Sequence, residues 1–476
     1  MNKKPTYFDG LCRRKVLKYG LSGAFAASLS PLLWVSGCGK KEHRKKPSIF
    51  LITIDTLRAD HLGCYGYSKN TSPNIDQFAD EALLFENCLS HASDTLLSFS
   101  SILTGFLPHE TRSTEKFFLP VEVKTLAEIL QEQGYKTMAV ISNYVLRKKQ
   151  GYDQGFMIYD DTMNQRELVR EWPERTAEHT TNRAIELLKE FHNDQLFMWI
   201  HYQDPHGPYT PPESFATLFR NPRQKPLNIK LNTSPSGRGG IPSYQVLDKN
   251  TDYYHYVSQY DGEIRYQDEH FKRLVEALKQ FGLYDDSLLI LSSDHGEGMG
   301  EHDYFFAHRE NLYNSLTHVP LVIKYGNQLT GRRTDFVQHI DIFPTVLKVL
   351  GLKVDSRFRG RDLRSQHGTN REIFAEMILP AVWGGILVQF SLAVDGLKLI
   401  YTPQNERYEM FNLKTDRGEE HNLITDYNYV ERFKDLNLRL IRICNEDFLK
   451  LRIVNEPSDR LTEEELEKLK SLGYIR

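Results

Sequence analysis

Little in this chain of 476 residues leans towards an extreme. Its 60 Lys and Arg are balanced by 63 Asp and Glu, a net charge of −3. There is no excess of basic charge such as general nucleic-acid binding needs, and no nucleic-acid partner is expected. Five cysteines in this length are too few for a disulfide framework. A mean hydropathy of −0.50 excludes a polytopic membrane protein. What remains is ordinary: 40% hydrophobic and 26% charged residues, the balance of a folded chain rather than a disordered one. The length leaves room for one large domain with a real core and a smaller one beside it.

One apolar segment stands near the start. Arg13-Arg14-Lys15 leads into Leu21-Ser22-Gly23-Ala24-Phe25-Ala26-Ala27, and Val35-Ser36-Gly37-Cys38 closes it. A positive head, an apolar middle and small residues before a break are the plan of an export signal. The paired arginines resemble a twin-arginine signal, and the last four residues resemble a lipobox whose Cys38 becomes lipidated and N-terminal. Residues 1–37 are therefore read as an export signal. Residues 38–47, rich in Lys and Arg, are read as a lipidated tether. The chain is expected to be exported and held by lipid on a bacterial membrane, facing the periplasm or the exterior.

Beyond the tether, apolar runs alternate with amphipathic ones. Ser48–Ile54, Lys136–Ser142, Gln195–His201 and Ser287–Ser293 read as strands buried on both faces. Helical spacing covers Asn74–Ala82, Thr125–Gln133, Thr180–Phe191 and Asp268–Phe281. This alternation predicts an α/β fold, a large and mainly parallel sheet flanked by helices. Residues 207–250, rich in Pro, Gly, Ser and Asn, read as a long surface excursion. Past residue 365 the character changes. Phe390–Val394, Leu397–Tyr401 and Arg407–Leu413 are short runs joined by turns, which predicts a smaller C-terminal α+β unit over 366–476 with an antiparallel sheet and a terminal helix at Glu463–Leu469.

Asp55 and Asp294 stand at the C-terminal ends of two predicted strands, and His295 follows directly. Strand C-termini in an open parallel sheet form the ligand crevice, so the three can converge from far apart. Asp with His suits one divalent ion of the Mn²⁺, Zn²⁺ or Ca²⁺ kind. Singly, each of these residues is as well explained as a cap or turn residue. The stretch from Asp94 to Gly105 puts hydroxyls, Thr95 first, before an apolar turn, where a helix N-terminus faces anions. His201, His206, His302 and His308 stand near strand exits.

Several ordered motifs now coincide: Asp55-Thr56-Leu57-Arg58-Ala59-Asp60-His61, Asp204-Pro205-His206-Gly207-Pro208-Tyr209, Ser293-Asp294-His295-Gly296-Glu297, Gly300-Glu301-His302 and Val319-Pro320-Leu321. On them, from about residue 48 to the end, the chain resembles the sulfatase branch of the alkaline phosphatase superfamily. The resemblance implies a large α/β catalytic domain, here 48–365, and a smaller C-terminal one. It implies metal-ligand roles for Asp55, Asp294 and His295. It implies binding of a substrate's anionic oxygens by His206 and His308, with His302 a further substrate-binding candidate.

The sequence departs from that family at its centre. Where the family has Cys-x-Pro-Ser-Arg, with the Cys oxidised to formylglycine, this chain has Thr95, Leu97, Ser98 and Phe99. No formylglycine is expected, and Cys88 lies too far upstream to replace it. Thr56 stands in place of the family's usual second Asp. The set that remains resembles the single-metal sites of phosphoethanolamine and phosphoglycerol transferases in the same superfamily. Threonine lacks the second hydroxyl by which a formylglycine hydrate expels sulfate, whereas a phospho-threonine turns over by a second in-line attack at phosphorus. The expectation is a metal-dependent hydrolase or transferase. Thr95 is its nucleophile and a fourth metal ligand, His206 and His308 stabilise charge, and the substrate is a phosphoric or sulfuric ester of a glycan, lipid or small molecule. Sulfuric ester hydrolysis by a route without formylglycine, and a silent lipoprotein that binds anionic glycans, stand as the alternatives.

Overall fold

The computed structural model describes residues 46–111, 118–366, 368, 370–380 and 386–447. The export signal, Cys38 and the expected terminal helix at 463–469 lie outside them. Among the described residues no helix is long and apolar enough to cross a membrane.

The frame is an eight-stranded sheet. Its strands are β1 (Ile49–Ile54), β2 (Leu83–Leu89), β3 (Lys136–Ile141), β4 (Ile158–Asp160), β5 (Leu196–Tyr202), β6 (Leu288–Ser293), β7 (His318–Tyr325) and β8 (Gly331–Gln338). They lie in the order β8-β2-β7-β6-β1-β5-β3-β4. Only β7 runs against the rest, antiparallel to both β2 and β6. Every residue of β1, β5 and β6 is buried, because both faces of the sheet are covered by helices.

Successive side chains of a strand point to opposite faces, and the two cores follow that alternation. Phe50, Ile52 and Ile54 face one core with helices α1 (Pro73–Asp80), α4 (Ala177–Phe191) and α5 (Tyr253–Gln280). Ile49 and Leu51 face the other with α2 (Thr95–Thr104), α3 (Leu126–Glu132) and α6 (Ile342–Val349). Each fully buried Leu, Ile or Phe contributes roughly 1.5–3 kcal/mol of burial, so this central pair of layers is rigid ground for a site at its edge.

Capping shows why the helices begin where they do. Thr125 accepts from the Glu128 amide while Glu128 accepts from the Thr125 amide, a reciprocal box that starts α3. Asp252 accepts from the Tyr254 amide and opens α5. That helix runs 28 residues, twice the length of the predicted Asp268–Phe281. Gly262 in its first half obscured the periodicity. The glycine is needed because a Cβ there would meet the Phe215 carbonyl oxygen at 2.9 Å.

The smaller sheet is antiparallel, as expected, and has four strands rather than three: β9 (Glu372–Pro380), β10 (Ile386–Val394), β11 (Leu397–Thr402) and β12 (Arg407–Asn412), in that order. Helix α7 (Val430–Asp447) packs Leu436, Leu440 and Ile443 on it. The 207–250 stretch is largely irregular, with single helical turns at Glu213–Ala216 and Ser243–Gln245. Its second half is anchored: Tyr244 Oη and Gln245 Nε2 both donate to the Phe306 carbonyl at 3.1 Å.

Candidate metal and ester site

Three chain segments meet at the C-terminal edge of the central strands. Asp55 leaves β1, Asp294 and His295 leave β6, which pairs with β1 in parallel, and Thr95 is the first residue of α2. Asp55, Thr95, Asp294 and His295 are all fully buried. Ligand atoms of Asp55, Asp294 and His295 lie within 4.8 Å of one another. Thr95 Oγ1 is 3.2 Å from His295 Nε2.

Each carboxylate is tied back by one oxygen. Asp55 Oδ2 accepts from Asn143 Nδ2 at 2.5 Å and lies 3.4 Å from His201 Nε2. Asp294 Oδ1 accepts from the Thr56 and His295 amides at 3.2 and 2.9 Å. The other oxygens, Asp55 Oδ1 and Asp294 Oδ2, are buried without a partner among the described residues. His295 Nδ1 lies 2.9 Å from the Gly296 carbonyl oxygen, a contact that holds the ring proton on Nδ1 and leaves Nε2 as a lone pair. Nε2 is 3.4 Å from Asp294 Oδ2 and 4.0 Å from Asp55 Oδ1. Two orphaned anionic oxygens and one imidazole lone pair turned towards each other are the donor set of a divalent cation. The residues present fit that group.

The electrostatics agree. Burial pushes Asp294 up, the neighbouring Asp55 charge adds to it, and its carboxyl reaches about 6. Burial also works against Asp55, but His206, His201 and His295 outweigh it and hold the carboxyl at about 2. One of two such crowded carboxylates needs a cation to stay ionised.

Helix α2 presents the hydroxyl. Asp94 caps it by accepting from the Leu97 amide at 3.2 Å, and Arg309 Nε holds the same carboxylate at 2.9 Å. Thr95 thus sits at the positive end of a helix, where anions are favoured. Ser98 Oγ is committed to the Ala92 carbonyl at 3.2 Å. Phe99 packs on Trp199 and edge-on to His201, with centroids 4.8 and 4.9 Å apart, so a core ring fills the place of a guanidinium. Cys88 lies buried in β2.

His206 and His308 form the mouth. Their ring centroids are 5.0 Å apart, and His308 is 4.6 Å from His295. His308 Nδ1 pairs with Glu297 Oε1 at 3.1 Å. Burial lowers His206 to about 4. Burial, then the charges of His295 and His206, push His308 well down. In both, burial favours the uncharged ring. His302 lies apart, exposed, with its ring stacked on Tyr313 at 3.5 Å.

The structure therefore brings together Asp55, Thr95, Asp294, His295, His206 and His308 and leaves His302 outside that group. It places His201, already marked near a strand exit, beside Asp55, and adds Asn143, Glu297 and Arg309. Asn143 is separated from the end of β3 by Ser142 alone and directly follows the strand expected over Lys136–Ser142, so the rule that singled out Asp55 and Asp294 also reaches it. Arg309 had no such signal.

A helix-covered, mainly parallel sheet with an acid, acid and imidazole cluster at its strand exits defines an alkaline-phosphatase-like hydrolase. A family model described as Sulfatase matches residues 47–352, and one described as N-sulphoglucosamine sulphohydrolase, C-terminal, matches 300–446. The chain belongs to the sulfatase family and is a hydrolase of that family. It is 22% identical to an N-acetylglucosamine-6-O-sulfatase of Bacteroides thetaiotaomicron over 83% of this chain and 86% of that protein. It is 26% identical to human iduronate 2-sulfatase over 65% of this chain and 70% of that protein. Among solved structures it is similar to one in complex with its substrate D-glucosamine-2-N,6-O-disulfate, with a TM-score of 0.72, 18% identity and coverage of 87% of this chain and 100% of that one. It is also similar to a phosphonate monoester hydrolase of Agrobacterium radiobacter, with a TM-score of 0.68, 20% identity and coverage of 84% and 96%.

Proposed function

We propose that this protein cleaves phosphoric or sulfuric esters with one divalent metal and a Thr95 nucleophile, and that phosphorus is preferred. The observation that carries the reading is the Thr95 hydroxyl, 3.2 Å from the His295 lone pair at a helix N-terminus. Asp55, Asp294 and His295 would hold the metal, which supplies Lewis acidity that lowers the hydroxyl's pKa and neutralises charge on the ester. Thr95 Oγ gives its proton to solvent water and forms a bond to phosphorus as the bond to the leaving oxygen breaks, and that oxygen takes a proton from water as it departs. His206 and His308 donate N–H bonds to the ester's oxygens. Water or an acceptor alcohol then attacks the phospho-threonine from the opposite side, and Oγ leaves and regains a proton.

A second reading, sulfuric ester hydrolysis, is favoured by the sulfatases among its relatives. Purified protein assayed against paired aryl phosphate diesters and aryl sulfates with Mn²⁺, Zn²⁺ and Ca²⁺ separates the two. Thr95→Ala is expected to lose at least about a thousandfold in turnover, and a quenched reaction is expected to carry phosphate on Thr95. Full turnover by Thr95→Ala refutes the nucleophile, and turnover of sulfates alone refutes the preference. We further propose export and a lipid anchor on Cys38, motivated by Val35-Ser36-Gly37-Cys38. If Cys38→Ser stays in the membrane fraction, that anchor is refuted.

A further inference from the structure

One cation beside the mouth has no part in the chemistry above. A short hairpin, Gln165–Arg166 paired with Pro173–Glu174, carries Arg170 in its connecting turn. Its guanidinium is fixed on three sides. Nε and Nη2 fork onto Glu167 at 2.7 and 2.6 Å, and Nη2 also donates to the Gly207 carbonyl at 2.9 Å. Its carbon lies 5.0 Å from the Trp172 ring centroid and 4.4 Å from that of Tyr244. Nη1 makes no hydrogen bond among the described residues, and the side chain keeps 18% of its surface open. Trp172 in turn lies 6.0 Å from Tyr144, the residue after Asn143. The hairpin is thus built onto the wall of the metal site.

Arg170 also stands beside the mouth, since Gly207, whose carbonyl accepts from its Nη2, follows His206 directly. Glu167 alone satisfies an arginine that only pins the hairpin, and the further bond to Gly207 ties this one to the loop that carries His206. A guanidinium immobilised by a fork and two rings loses little side-chain freedom when it takes one more anion, which makes it an efficient selector.

We propose that Arg170 determines specificity by binding a second anionic group of the substrate, next to the ester that reacts, through its Nη1 edge. The preferred substrate then carries two neighbouring anionic groups rather than one. This rests on the reading of the site as an ester site. A charge-assisted hydrogen bond of this kind is worth roughly a factor of ten in affinity.

Calorimetric titration of the Mn²⁺-loaded protein with glucosamine 6-O-sulfate and with D-glucosamine-2-N,6-O-disulfate tests it. Wild type is expected to bind the disulfate about tenfold more tightly. Arg170→Gln is expected to bring the two within about threefold while leaving the monosulfate within about twofold of wild type. Arg170→Lys, which keeps the charge and guards against a folding defect, is expected to fall between. A ratio that Arg170→Gln leaves unchanged, or equal binding of both probes by wild type, overturns the proposal alone. No binding of either probe also overturns the proposal, while turnover of the aryl phosphate diesters decides the ester site separately.

Discussion

Metal affinity should depend on a residue that never touches the metal. Asn143 Nδ2 donates to Asp55 Oδ2 at 2.5 Å, with Asn143 5% exposed and Asp55 fully buried. This bond fixes the carboxylate so that Oδ1 faces Asp294 and His295. A hydrogen bond to a charged group is worth about 1.5–3 kcal/mol. At about 1.4 kcal/mol per factor of ten, its loss weakens metal binding by about 10- to 100-fold. Asn143 has a second duty, since its Oδ1 accepts from the Val145 amide at 2.9 Å and starts a helical turn. Asn143→Ser keeps an oxygen for that cap but is too short to reach Asp55, so it separates metal affinity from local folding. His201, 3.4 Å from the same oxygen, remains as partial support and sets the lower end of the range. The assay is calorimetric titration of metal-stripped protein with Mn²⁺, Zn²⁺ and Ca²⁺, with the metal-induced rise in Tm as a second readout. Dissociation constants within twofold of wild type for all three ions would show that Asp55 does not bind metal through this geometry.

Three further outcomes follow from buried groups elsewhere. Arg371 forks onto Asp341, which is fully buried and also accepts from the Gln338 and Arg361 amides at 3.0 and 2.8 Å. Arg371→Met should cost about 3–5 kcal/mol in urea unfolding because it strands a buried charge, and adding Asp341→Asn should recover part of it. His91 is held at about 4 by burial, with Nδ1 2.6 Å from the Phe374 carbonyl oxygen. A histidine with a depressed folded pKa contributes stability above about pH 6.5 that is lost as pH falls towards 4, about 3 kcal/mol in all, and His91→Gln should flatten that part of the unfolding profile. A Cβ on Gly207 would meet Gln245 Nε2 at 1.9 Å. Gly207→Ala should therefore cost about 1–3 kcal/mol in urea unfolding and lower turnover through the adjacent His206; unchanged kinetics would show that the 206–208 loop tolerates the shift.

What the sequence shows clearly is what burial imposes on every position. β1, β5 and β6 are buried on both faces, so each reads as an unbroken apolar run, and the residue at its end stands out by contrast. Edge strands obey no such rule. β8, at the sheet margin, contains Arg332, Arg333 and Asp335 and carries no strand pattern to read. Within the site, Asp55, Asp294 and His295 are marked by position on the chain. His201 is marked only as a histidine near a strand exit, its place beside Asp55 being set by the fold, and Arg170 is hidden because a turn has no period and its partners Tyr244 and Gly207 come from distant segments.

The departures from the family pattern form one electrostatic change. With Phe99 in the core and Thr56 in place of an acid, the described site has lost a cation and an anion together. Arg309 is paired with Asp94 and Arg170 with Glu167, and Arg58 faces two acids, Asp60 and Glu301, so no arginine charge there is left over. Burial favours the uncharged ring in both mouth histidines. On the proposed reading, Asp55 and Asp294 would cancel one divalent ion, and a buried centre without surplus positive charge favours a monoanionic group over a dianion, whose second charge would have to be desolvated unpaired. Sulfate monoesters and phosphate diesters are both monoanions, whereas a phosphate monoester is a dianion near neutral pH. The choice between the first two would then fall to the proposed Thr95 nucleophile, since both fit the same charge and only a phosphoryl group leaves a threonine readily.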